Sequence, residues 1–173
     1  MTDSQGFILL PNVVSGVLLQ RLAADMDANM CKTTPTVRRE KFNEYEVPSS
    51  GYAVKDEFVQ NVDKSRLASL FHLNSFPEHP WSINMGVFHE TEADPSKLKT
   101  ANKEEVYVTI AVTDLGSHNG WFNFHEGSHL RKPPLGKAIS LNLRAGDAVA
   151  WSGNLVYSHV SGGGGKFLTI VYR

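Results

Sequence analysis

Cysteine is nearly absent from this chain, Cys31 being the one thiol. That excludes an internal disulfide and makes a reducing, cytoplasmic setting the expectation. Long apolar runs are missing too, so no segment is expected to span a membrane. The opening MTDSQG has neither the basic nor the apolar region of a secretory signal. No charge sign dominates: 17 Lys and Arg face 18 Asp and Glu, mixed along the chain, for a net charge of −1. Nucleic acid and membrane surfaces are therefore not expected partners. Internal repeats and low-complexity linkers are lacking as well, and residues 1–173 read as one domain with enough apolar residues (41%) to bury a core.

What is present changes character along the chain. Residues 6–11 (GFILLP) form a short apolar run between Gly and Pro, as in a strand buried on both faces. Over 12–30 the period shifts to four, with Val14, Leu18, Leu22 and Met26 on one face, which predicts an amphipathic helix with Ser15 as its cap. Residues 31–50 carry Thr, Pro and mixed charge and read as loop, with one short strand near 42–47. A second short helix is expected over 63–73, with Leu67, Leu70 and Phe71 on its apolar side, before the proline-broken 75–81. From there short strands follow one another: 83–88, 106–112, 121–124, 138–143, 147–151 and 167–173. Asn119-Gly120 reads as a hairpin turn. The three tryptophans read mostly as core, with Trp121 and Phe124 also able to line an apolar pocket. A succession of strands with Gly and Pro turns has the look of a sandwich or jelly roll.

Two histidine patterns carry chemistry. His125-Glu126-Gly127-Ser128-His129 matches H-E-x-x-H, which binds zinc only when a helix puts both imidazoles on one face. The alternating FNF ahead of it, its internal glycine and Pro133-Pro134 beyond it oppose a helix, so the match is taken as accidental. His129 reads as a structural hydrogen-bonder and His125 as a contact near a pocket mouth. His118, His72 and His79 read as turn or loop residues. The second pattern pairs His89 with His159, each at a strand end. Non-haem iron oxygenases hold Fe(II) with two histidines and a carboxylate on one face of the metal. His159 lies close to Gly162–Gly165 with Lys166 beyond, and as a plain loop histidine it would fit the same string.

In order and spacing, GFILLPNVVS, VYVTIAVTDLGSHNGWFNFHEGSH and LNLRAGDAVAWSGNLVYSH resemble the phytanoyl-CoA dioxygenase-like branch of Fe(II)/2-oxoglutarate oxygenases, nearly end to end. The resemblance implies a mainly β fold with flanking helices, a double-stranded β-helix of the jelly-roll, cupin-like kind. It also implies Fe(II) and 2-oxoglutarate as cofactors and a small-molecule substrate to be hydroxylated. His89 and His159 match the family's iron histidines. Its H-x-Asp/Glu carboxylate falls on Thr91, a departure; Glu90 and Glu92 stand nearest, and Glu92 reaches the metal if the chain turns after His89. The family's 2-oxoglutarate arginine is also missing. Lys166 stands nearest to its place and Arg173 is the alternative, although lysine offers a point charge rather than a bidentate fork. These departures keep a rival open, in which the same fold has lost its iron chemistry and binds a small molecule, assists a partner or catalyses a non-oxidative isomerisation. A halogenase would ask for a residue smaller than Thr91.

Overall fold

A computed structural model describes residues 5–71, 75–130 and 133–173. Its element order is β1 (Phe7–Leu10), α1 (Gly16–Lys32), β2 (Val37–Arg38), β3 (Phe42–Tyr45), α2 (Ser49–Asn61), α3 (Lys64–Leu70), β4 (Ser82–Phe88), β5 (Val106–Ala111), β6 (Phe122–His125), β7 (Ala138–Ser140), β8 (Ala148–Ser152), β9 (Tyr157–His159) and β10 (Lys166–Tyr172). The strands form a seven-stranded sheet in the order β1-β8-β5-β10-β4-β3-β2 and a three-stranded sheet in the order β7-β6-β9. Every described strand pairing is antiparallel. The fold is mainly β with flanking helices, of the jelly-roll, cupin-like kind that the sequence implies.

Strand alternation builds two apolar layers on the large sheet. Leu168 and Ile170 of β10, Val108 and Ile110 of β5 and Met85 of β4 pack with Leu22 and Met26 of α1 and Val54 and Phe58 of α2. The opposite-facing Phe167, Ala111 and Phe88 join Trp121, Phe122 and Trp151 in a second cluster, with the small sheet. Each fully buried large side chain contributes about 1.5–3 kcal/mol.

The helices follow from local chemistry. Ser15 occupies the N-cap of α1, although its side chain makes no capping bond; its own N–H donates to Glu57 Oε2 at 2.8 Å. Leu19 joins Leu22 and Met26 as the buried face, while Leu18 is partly buried. Asp63 caps α3 by accepting from Ser65 and Arg66 N–H, and Leu67 is fully buried. The expected apolar contact of Leu70, residue His72 and the end of that expected helix lie outside the described residues. Helix α2 arises where no element was expected; it starts behind Pro48 and buries only Ser50, Gly51, Val54 and Phe58, a face too sparse to register as a period.

Three expectations are corrected. Strand β1 is not buried on both faces: it is an edge strand, and Leu9 is 44% exposed. Asn119-Gly120 is not a hairpin turn, because β5 and β6 lie in different sheets. Gly120 has φ 89°, whereas Asn119 instead accepts from Gly116 N–H at 3.0 Å and donates to the Asp114 carbonyl at 2.6 Å. Trp81 is not core but 63% exposed.

Candidate functional site

Between the inner face of the large sheet and the small sheet lies a cavity of about 430 Å³. Alternation decides what lines it. From β4 come Ser82, Asn84 and Phe88, from β5 Tyr107 and Thr109, and from β10 Phe167, Thr169 and Val171. Trp151 on β8 donates its indole N–H to Thr109 Oγ1 at 3.1 Å, and Thr109 and Thr169 hydroxyls lie 3.3 Å apart. The floor is thus polar within aromatic walls formed by Phe88, Trp121, Phe122, Tyr157 and Phe167.

His159, the last residue of β9, lines this cavity. It is 6% exposed, and its ring sits among Phe88 at 5.7 Å, Phe122 at 4.8 Å and Tyr157 at 5.8 Å. Nδ1 donates to the Gly120 carbonyl at 3.0 Å, which puts the proton on Nδ1 and the lone pair on Nε2. Burial pushes its pKa down to about 4, against the Gly120 hydrogen bond, with the Lys99 and Lys41 charges adding to the depression. The imidazole is therefore neutral at physiological pH.

His89 follows the end of β4, as expected, but does not line the cavity. Its Nε2 lies 3.2 Å from the Arg39 carbonyl, an acceptor only, so Nε2 carries a proton. The Thr91 hydroxyl meets the Lys41 ammonium at 3.4 Å, and the Glu92 carbonyl meets the same ammonium at 3.4 Å. The Glu92 residue is exposed. Among the described residues, no three His, Cys, Asp or Glu side chains come together as a metal would need. The structure thus brings His159 to the cavity but does not gather His89, Glu92 and His159 into one ligand set.

The two expected anchors are likewise separated from His159. Lys166 opens β10 on the helix side of the sheet, opposite to Phe167, and its ammonium pairs with Asp27 of α1 at 2.5 Å. Strand alternation is the reason: an even position in β10 faces the helices. Arg173 follows the other end of β10. Its Nε bonds Glu105 Oε1 at 3.1 Å, and its guanidinium stacks over Trp81 at 4.3 Å. It stands beside the cavity, whose lining includes Glu105 and Trp81, at the end of the strand remote from Phe167 and Phe88.

The glycine run explains why Thr91 lies so near the segment after His159. Gly162 exchanges two backbone hydrogen bonds with Thr91, at 3.2 and 2.9 Å. A Cβ on Gly162 would sit 1.8 Å from the His118 carbonyl oxygen, and its φ is 89°; one on Gly163 would sit 2.4 Å from Glu90 N. Only glycine passes through this gap.

Several lining residues escaped the sequence analysis, chiefly Lys41, Lys99, Arg39 and Glu105. Arg39 pairs with Glu44 at 2.8 Å. Lys97 and Lys99 pair with Glu40 at 3.0 and 3.1 Å and hold its carboxyl down to about 2. Thr109 and Thr169 did carry a signal, each as a polar residue inside an otherwise strand-like run, VYVTI and FLTIV. The accidental zinc motif is confirmed as non-helical: His125 ends β6, Gly127 has φ 72°, and His125 Nδ1 bonds the Gly136 carbonyl at 3.0 Å.

No protein-family model matches this chain, and no curated protein sequence does. Solved structures do. The non-heme alpha ketoglutarate dependent carbocyclase SnoK from nogalamycin biosynthesis superposes with a TM-score of 0.71 at 15% identity, over 98% of this chain and 79% of that one. AviO1 from Streptomyces viridochromogenes Tue57 gives 0.72 at 16% identity, over 99% and 90%. The epimerase SnoN in complex with Fe3+, alpha ketoglutarate and nogalamycin RO gives 0.66 at 13% identity, over 98% and 80%. At these identities the likeness is one of fold. The fold is one that holds iron, 2-oxoglutarate and a small-molecule substrate in SnoN.

Proposed function

We propose that this chain is a small-molecule-binding member of the double-stranded β-helix fold whose iron chemistry has been lost, with the aromatic cavity as its binding site. The observation that carries this reading is the Lys41 ammonium set against the Thr91 hydroxyl, at the position where the resembled family keeps its carboxylate. A carboxylate there would offset the charge of Fe²⁺ and bind it; a neutral hydroxyl beside a fixed cation does the reverse. Tested against the donors present, iron and 2-oxoglutarate do not fit as the side chains stand: among the described residues His159 is the one histidine in the cavity lining, no three His, Cys, Asp or Glu side chains gather, and Lys166 is spent on Asp27. We place the protein in the cytoplasm, as one domain, on the sequence grounds given above.

A second reading, the phytanoyl-CoA dioxygenase-like oxygenase, is favoured by one observation. His159 presents a neutral imidazole whose Nε2 lone pair is free of the Gly120 bond. In that reading Fe(II) and 2-oxoglutarate supply oxidative chemistry, His89, Glu92 and His159 hold the metal, and Lys166 or Arg173 holds 2-oxoglutarate. His89 would have to give up the Arg39 carbonyl first.

Succinate formation separates the two. With Fe(II) and 2-oxoglutarate supplied without air and oxygen then admitted, the first reading expects no succinate above a His159→Ala control. Succinate that requires His89, His159 and Fe(II) together establishes the oxygenase instead.

A further inference from the structure

The charges around the cavity do not balance locally, and the imbalance names a ligand class. Each carboxylate in the lining has a cation of its own: Glu44 has Arg39, Glu40 has Lys97 and Lys99, and Glu105 has Arg173. Lys41 differs. The hydrogen bonds described for its ammonium go to two neutral acceptors, Thr91 Oγ1 and the Glu92 carbonyl, both at 3.4 Å. That is the long limit of a hydrogen bond, and an ammonium has three donors to place. Lys41 is half-buried and lines the cavity. Beside low-dielectric aromatic walls, an opposite charge gains more than it would on an open surface.

The walls supply the rest of the description. Phe122 and Tyr157 lie 4.6 Å apart, Tyr107 and Trp151 stack at 4.6 Å, and Phe88 and Phe167 lie at 4.8 Å. Such surfaces receive a flat aromatic body by offset or edge contact. The volume, about 430 Å³, falls within the range of small-molecule sites. We infer that the cavity takes a flat aromatic molecule bearing one carboxylate-type anionic group, with Lys41 as its counter-ion. This rests on the binding reading proposed above and adds the class of ligand to it.

Calorimetric titration with 2-naphthoate and with its neutral counterpart 2-naphthamide tests it. The parent protein is expected to bind naphthoate about tenfold more tightly than the amide, the scale of one charge-assisted bond. Lys41→Met should bring that ratio to about one, and the ratio, rather than either affinity alone, is the quantity read. Lys41→Arg should keep the preference. Equal binding of acid and amide by the parent overturns the anionic-ligand inference and leaves the binding cavity standing, a result that needs no variant to fold. Binding of neither compound overturns the cavity reading and this inference with it. A preference that survives Lys41→Met overturns the assignment of Lys41.

Discussion

His159 shows how one residue's surroundings settle its chemistry. It loses water on burial faster than the Gly120 carbonyl compensates, so its pKa falls from 6.5 to about 4. The unfolded chain therefore binds this proton before the folded chain does. Stability from this group is complete above about pH 6.5 and is lost as pH falls toward 4, by roughly 3 kcal/mol in all. Urea unfolding of metal-free protein at several pH values checks this. The parent should lose stability across that window and His159→Gln should lose less; equal slopes would refute the burial account. His159 was legible in the sequence as a histidine between two strand runs and close to Gly162–Gly165, although strand β9, which carries it, was not expected. Lys41 was not, since no period in 31–50 tells which side of an irregular segment a lysine takes.

At the scale of elements, alternation was the most informative signal. In β10 it separates Lys166 from Phe167, Thr169 and Val171, whereas β2 in the same sheet lies in a segment read as loop. Expecting Lys166 at the cavity gave the family's pattern priority over that alternation. The structure implies a contrast: Lys166→Ala should cost at most about 1 kcal/mol, as befits an ion pair with an exposed Asp27, and leave naphthoate affinity unchanged. Thr169→Val, on the inner face, should alter affinity. A changed affinity in Lys166→Ala alone would put the ligand on the wrong side of the sheet. The glycine run was legible as a turn but not as a strap, because the chain segments it threads are distant in sequence. Gly162→Ala forces a Cβ against the His118 carbonyl at φ 89° and should destabilise by about 2–4 kcal/mol, read from the denaturant midpoint. Helix α2 escaped, and Asn119-Gly120 was read as a hairpin, for a related reason: tertiary packing, not local pattern, decides them.

For the whole molecule, one large sheet divides the work. Its helix side is apolar packing, and its inner side combines packing with the cavity. Leu168→Ala, within the helix-side core, should destabilise by about 2–5 kcal/mol and leave ligand affinity unchanged. Phe167→Ala, on the inner side, should weaken both stability and binding. If both variants weaken binding equally, the two layers are not separate in function. The jelly-roll architecture was legible from strand spacing and resemblance together, whereas the pairing of charges across the cavity depends on contacts no sequence pattern states.

The central claim is that a cation and a hydroxyl have replaced the carboxylate of an iron site. Anaerobic Fe(II) titration of the parent beside Lys41→Met/Thr91→Asp tests it most directly. The account predicts that the parent holds iron no better than its His159→Ala control, and that the double variant, with the cation removed and a carboxylate restored, gains at least about tenfold. One tightly held Fe(II) per parent chain, lost on changing either His89 or His159, would contradict it.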